Sequence, residues 1–172
     1  GGEFDIVQVR KLRSPHNPEV AIGAVDEMGC VYIDDYARRD YDGHSLINQH
    51  YFEAEKTEQI AVMKNRRETF EKFHHRIDPY HRIVIVVDDG LATGSTMIAA
   101  LKALRLALPQ KLICAVPIAG EDALRKVADH ADEVICLTCP ELFYAVGQGY
   151  ESFPQISNEE VIRLLNEDCL PS

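Results

Sequence analysis

The stretch Val84-Ile85-Val86-Val87-Asp88-Asp89-Gly90-Leu91-Ala92-Thr93-Gly94-Ser95-Thr96 decides how the chain is read. Four β-branched apolar residues in succession predict a strand buried on both faces of a parallel sheet. Asp88 and Asp89 stand at its carboxyl end, a loop of small residues follows, and an apolar helix opens at once. Open α/β sheets hold ligands at the carboxyl ends of their strands. Backbone N–H groups of a small-residue loop that leads into a helix bind phosphate well. Ionised carboxylates accept hydrogen bonds and suit hydroxyl groups. The stretch therefore predicts a phosphate on the loop and a polyol within reach of the two aspartates.

Downstream of it, Met97, Ala100, Leu101, Leu104 and Leu108 mark an amphipathic helix that stops at Pro109. A strand is expected over Leu112 to Ile118. A helix is expected from Gly120-Glu121-Asp122, with Leu124, Val127 and Ala131 facing inward and acids at its positive end. Glu133 to Leu137 reads as another strand. Ser157-Asn158-Glu159-Glu160 has the spacing of a capping box for a last helix carrying Val161, Leu164 and Leu165.

Upstream, Glu3 to Leu12 reads as a strand running into basic residues, and Arg13 to Pro18 as a loop. Val20 to Val25 and Cys30 to Ile33 read as a hairpin. Residues 34 to 54 show no clear period. Glu55 to His75 reads as a long helix with Ile60, Met63, Phe70 and Phe73 on one face. Arg67–Glu71 and Glu68–Lys72 are spaced to pair on its surface. Strands alternating with helices imply one α/β domain over residues 1–172, a doubly wound, mainly parallel sheet with flanking helices.

A chain of 172 residues that is 46% hydrophobic is ample for one core. A net charge of −10 argues against general nucleic-acid binding, which demands a basic face. No apolar run approaches the eighteen or so residues that span a membrane. The five cysteines are odd in number and lack framework spacing, so reduced thiols and a cytoplasmic location are expected. Cys136 and Cys139 have C-x-x-C spacing, but a zinc site needs two more ligands and none is suitably spaced nearby. His74 and His75 are expected to end a helix, where imidazole suits the negative pole.

The segment Asp88 to Thr96 resembles the signature of the type I phosphoribosyltransferases, enzymes that use 5-phosphoribosyl 1-pyrophosphate (PRPP). Their pattern is a hydrophobic strand, two acids, two variable positions and a short Thr/Gly-rich loop ending in Thr. The resemblance implies that Asp88 and Asp89 hydrogen-bond the ribose 2- and 3-hydroxyls. It implies that the loop of Gly90, Ala92, Thr93, Gly94, Ser95 and Thr96 wraps the 5-phosphate. Arg10, Lys11 and Arg13, followed by a proline-bearing loop with His16, resemble the family's mobile catalytic loop, which brings cations over the leaving pyrophosphate. Tyr144 to Glu151 resembles the small hood that flanks the base, with Val146, Tyr150 and Phe153 near the ring. Glu151, with Asp88, falls where relatives place acids near Mg²⁺ and pyrophosphate.

Two departures from the family pattern are informative. The hypoxanthine–guanine type carries an Asp and later a Lys where this chain has Ala92 and Ser95, which argues against that 6-oxopurine chemistry. With V-R-K-L and A-I-G-A-V, the whole resembles predicted bacterial phosphoribosyltransferases of undefined substrate over most of residues 4 to 167. The family also begins with a strand ending in a glycine-rich pyrophosphate loop. The expectation is that Gly1 and Gly2 belong to that loop, and that a strand–helix unit of about 30 residues is missing between Gly2 and Glu3; a cloning scar is the other origin for two glycines.

The resemblance implies transfer of the 5-phosphoribosyl group from PRPP-Mg to a nitrogen nucleophile, most simply a nucleobase, in a protein that is often a dimer. The alternative is a PRPP- or nucleotide-sensing protein that binds without turnover. A third reading is a phosphosugar-binding domain with no preference for PRPP.

Overall fold

The computed structural model describes residues 2–15, 21–33, 49–71 and 77–167. An antiparallel sheet comprises β1 (Val9–Arg13), β2 (Ala21–Asp26) and β3 (Val31–Ile33), in that order. The long helix α1 (Gln49–Glu71) follows. A parallel sheet β4 (Ile83–Val87), β5 (Lys111–Ile118) and β6 (Glu133–Thr138) then alternates with α2 (Ser95–Leu106) and α3 (Glu121–Ala128). A short 3₁₀ turn at Val146–Gly149 and α4 (Asn158–Glu167) close the described chain.

These elements stack in layers around α2. One face of the antiparallel sheet gives Leu12, Ile22 and Val25 to a core with Phe52 and Met63 of α1. The opposite face gives Ala24 and Tyr32 to a larger core with Met97, Ile98 and Leu101 of α2. That core extends through Leu112, Cys114 and Val116 of β5 to Ala123 and Val127 of α3. Helix α2 is thus gripped by both sheets, and Met97 through Leu101 are all buried. A helix apolar on every side at its start is what such a sandwiched position requires.

The alternating strands and helices of residues 83–138 match the expected βα order, and the hairpin lies where Gly29 sits at φ +85°. At the capping box, the Glu160 N–H donates to Ser157 Oγ at 3.2 Å. Five details differ from the sequence expectation. Strand β4 is buried on one face only: Val84 and Val86 pack into the core, while Ile83 (61%) and Val87 (69%) are exposed. It is an edge strand, and α2 and α3 cover the opposite face. Strand β1 begins at Val9 because Asp5 draws the preceding chain elsewhere, its carboxylate accepting the N–H of Ile6 and of Ile77.

Helix α1 starts six residues before Glu55, which lets Phe52 reach the core. Arg67 turns inward and is only 8% exposed, where the sequence predicts a surface position. Its guanidinium donates to the Ile6 carbonyl at 2.8 Å and faces Asp5 and Glu27. Leu108 lies past the end of α2 at φ +54°, exposed. Residues 16–20 and 34–48, and the expected helix end at residues 72–75, lie outside the described residues.

Removing Leu101, fully buried between the two sheets, opens a cavity that neither sheet can close alone. Leu101→Ala is expected to lower the unfolding free energy in urea by about 2–5 kcal/mol. Leu137→Ser, on the bare face, is expected to stay within about 0.5 kcal/mol of wild type. Equal losses in the two variants would contradict this layering.

Candidate functional site

Strand β4 delivers Asp88 and Asp89 to the carboxyl edge of the parallel sheet. The Asp89 N–H donates to Asp88 Oδ1 at 2.9 Å, so the first carboxylate is held by the backbone of the second residue. Gly90 admits no side chain: a Cβ there would lie 2.7 Å from Val146 Cγ1 and 2.8 Å from the Ile118 carbonyl oxygen. Leu91 then rejoins the sheet, its N–H donating to the Ile118 carbonyl at 3.0 Å and its own carbonyl accepting from Gly120 at 3.2 Å. The acidic turn is therefore clamped on both sides.

Asp88 is half-buried, and burial pushes its carboxyl above the ordinary range; the Asp89 N–H pulls it back and the Asp89 carboxylate raises it further. Below it on β5, burial and then Asp88 push the Cys114 thiol up to about 11, so it stays neutral. Cys30, Cys114, Cys136 and Cys139 are free thiols, and Cys169 lies outside the described residues.

The loop from Ala92 to Thr96 enters α2 through Gly94, at φ +80° in the left-handed region. A Cβ at Gly94 would lie 3.1 Å from Val127 Cγ2 of α3, so glycine answers both the dihedral and the space. Thr93 Oγ1 and Ser95 Oγ share a hydrogen bond at 2.9 Å, and Ser95 is 1% exposed. Ala92 and Thr93 face solvent and Thr96 is half-buried. The leading N–H groups of a helix have no intrahelical partner. In α2 the Ser95 N–H makes a long bond of 3.4 Å to Thr93 Oγ1. The cap residue itself, Gly94, offers no side chain, and no acid occupies the first turn to compete for an anion.

The basic strand is distributed differently from the sequence expectation. Arg10 Nε donates to Gln59 Oε1 at 2.6 Å. Arg13 grips both carboxylate oxygens of Glu55 and also reaches Glu58. Burial pushes the Glu55 carboxyl up, but the Arg13 bonds outweigh it and hold that carboxyl below its usual range. Lys11 is exposed. Among the described residues, no hydrogen bond or ion pair joins Arg10, Lys11 or Arg13 to the acidic turn.

The hood does reach it. Val146 leans on Gly90, and the Tyr150 hydroxyl donates to the Asp89 carbonyl at 2.6 Å. The Tyr150 and Phe153 rings meet at a centroid distance of 5.0 Å. Gln148 braces the hood from within, accepting the N–H groups of Tyr144 and Ala145 and donating to the Leu142 carbonyl. Glu151 is exposed, and no group of three or more metal-ligating side chains occurs among the described residues.

A cleft of about 820 Å³ runs along the open edge of β4, between it and the segment Gly2–Val9, with α2 as its floor. Asp88 and Thr96 reach it at the site end, and Gly2 borders it as well. Gly1 lies outside the described residues. The volume falls within the range of small-molecule sites.

Sequence reasoning missed the Tyr150 clasp, the fit of Val146 over Gly90 and the thiol under Asp88. All three are contacts between segments far apart in the chain, and no local pattern signals them.

Because Asp88 binds its proton more tightly folded than unfolded, the stability tied to it is full below the ordinary carboxyl range and is lost as pH rises through its higher folded value. Asp88→Asn keeps an acceptor for the Asp89 N–H and removes the buried charge. It is expected to melt higher than wild type at pH 7, with the gap closing near pH ~3–4. A variant that melts lower at pH 7 would contradict this.

Comparisons with known proteins identify the family. The family model "Phosphoribosyl transferase domain" matches residues 1–152. Two curated proteins of Mycobacterium tuberculosis, Rv0571c from strain H37Rv and MT0597 from strain CDC 1551, are each named provisionally as a phosphoribosyl transferase. Both are 40% identical over 164 residues, which is 95% of this chain and 36% of theirs. The chain therefore spans about a third of the length of these relatives. The crystal structure of TT1426 from Thermus thermophilus superimposes with a TM-score of 0.76 at 37% identity, over 96% of this chain and 76% of that one. With the family model covering most of its length, the chain belongs to the phosphoribosyl transferase domain family.

Proposed function

We propose that this domain binds PRPP with Mg²⁺ and transfers its 5-phosphoribosyl group to a nitrogen nucleophile, most simply a nucleobase, releasing pyrophosphate. One observation carries the reading. A pair of carboxylates, the first braced by the backbone of the second, stands five residues before a helix N-terminus with no side chain at its cap and no acid in its first turn, and Asp88 and Thr96 line one cleft of suitable size. Carboxylate acceptors suit sugar hydroxyls, and unpaired N–H donors at a helix start suit a phosphate.

In this reading the loop of Ala92 to Thr96 anchors the 5-phosphate, supplying binding energy remote from the reacting carbon. Asp88 and Asp89 fix the ribose, so that C1 is presented for in-line attack. The negative pair also lies on the side of the sugar where positive charge develops as the C1–oxygen bond breaks. Gly2 borders the cleft where the pyrophosphate would extend, Tyr150 and Phe153 offer ring surface beside the acceptor, and Arg10 and Lys11 supply cations for the leaving group. Mg²⁺ is usually held by one or two carboxylates together with substrate phosphates and water. Asp88 and Glu151 provide such hard oxygen donors, and when bound the ion would neutralise charge on the pyrophosphate.

A specific observation favours the binding-only alternative. Arg10 and Arg13 are already engaged by Gln59, Glu55 and Glu58 of α1, so two of the three cations assigned to the leaving group are spoken for. In the turnover reading, Lys11 and the remaining N–H groups of Arg10 are left to meet the leaving group.

Calorimetry with PRPP-Mg and ribose 5-phosphate, followed by pyrophosphate release over a panel of nucleobases and amines, separates the readings. PRPP is expected to bind more tightly than ribose 5-phosphate, and at least one acceptor to trigger release. Binding without release from any acceptor would favour the sensor, and equal affinity for the two ligands would favour a general phosphosugar domain. Asp88→Asn with Asp89→Asn is expected to weaken PRPP by about 10²–10⁴-fold, since each charged acceptor contributes roughly 1.5–3 kcal/mol. Unchanged affinity would overturn the ribose assignment.

A further inference from the structure

Two adjacent carboxylates do not naturally serve one ligand. In extended chain, successive side chains point to opposite faces, so Asp88 and Asp89 share a diol only if the peptide between them turns. Gly90, the next residue, is the one position in the turn whose backbone carries no Cβ to restrict it. The two carboxylates also repel each other. The sheet clamps the turn beyond Gly90, through Leu91, and the remaining question is what holds the peptide between Asp89 and Gly90.

Both peptide groups of Asp89 are pinned. Its N–H donates to Asp88 Oδ1, and its carbonyl accepts the Tyr150 hydroxyl at 2.6 Å, from a residue 61 positions away. The ring that carries this hydroxyl is itself seated against Phe153, and the hood that carries the ring rests Val146 on Gly90. The geometry assigns Tyr150 as a positioning residue, whose hydroxyl, by holding the Asp89 carbonyl, sets the direction in which the two carboxylates meet the sugar hydroxyls. This rests on the ribose assignment above and goes beyond it. It couples the seating of the hood to the sugar site, so that a displaced hood releases the acidic turn. Burial and the two aspartates push the phenol upward, which keeps it a donor across the neutral range.

Tyr150→Phe tests this, because it deletes one oxygen and keeps the ring against Phe153. Calorimetry would compare ribose 5-phosphate, 2-deoxyribose 5-phosphate and inorganic phosphate on both proteins. The variant is expected to bind ribose 5-phosphate about fivefold more weakly, the scale of one neutral hydrogen bond. Its preference for ribose over deoxyribose should shrink, while inorganic phosphate, held by the loop alone, binds as in wild type. A preference that survives undiminished in Tyr150→Phe would overturn the positioning role and leave the ribose assignment standing. Equal weakening of all three ligands would overturn it in favour of general packing. If wild type itself shows no preference for ribose, the ribose assignment fails, and this inference with it.

Discussion

Everything in the site depends on the double burial of α2. Its first turns are enclosed by the antiparallel sheet on one side and the parallel sheet on the other, with Met97 to Leu101 buried in succession. A helix held on both flanks cannot tilt to accommodate its neighbours. The loop that enters it is therefore fixed relative to β4, and β4 carries the acidic pair. Gly94 completes the constraint, since it supplies the left-handed dihedral and the clearance that let the loop pass over Val127 of α3. Rigid packing thus fixes the small-residue loop relative to the acidic pair.

That placement has an energetic cost that the fold carries at Asp88. Its carboxyl sits half-buried above a neutral thiol, next to a second carboxylate and with no cation bonded to it among the described residues. A structure selected for stability alone would fill the position with a neutral residue. Retaining a desolvated acid at a strand end is understandable where a ligand supplies the missing hydrogen bonds. The brace from Asp89, the closure of Gly90 under Val146 and the Tyr150 clasp are the means by which the turn bears this charge without relaxing.

Much of this was legible in residue order, because it rests on local periodicity. The run Val84–Val87, the acids after it and the glycine-bearing loop gave the strand, the turn and the helix, and Ser157 with Glu160 gave the last helix start. What was illegible involves partners far apart in the chain. An apolar run reads the same in an edge strand as in a central one, so the exposure of Ile83 and Val87 was hidden. Arg67 reads as a surface residue until Asp5 and Glu27 are brought against it. Arg10 reads as a free cation until Gln59 arrives from α1. Tyr150 announces a ring, while its hydroxyl's partner is a backbone carbonyl that no side-chain pattern encodes.

A crystal structure of the protein with ribose 5-phosphate tests the central claim most directly, because it reads the ligand's orientation and not merely its affinity. The phosphate is expected on backbone N–H groups of the 92–96 loop, and the 2- and 3-hydroxyls on the Asp88 and Asp89 carboxylates, at ordinary hydrogen-bond distances of about 2.7–3.2 Å. A phosphate seated instead on Arg10 or Lys11, with the acidic turn untouched, would contradict the account.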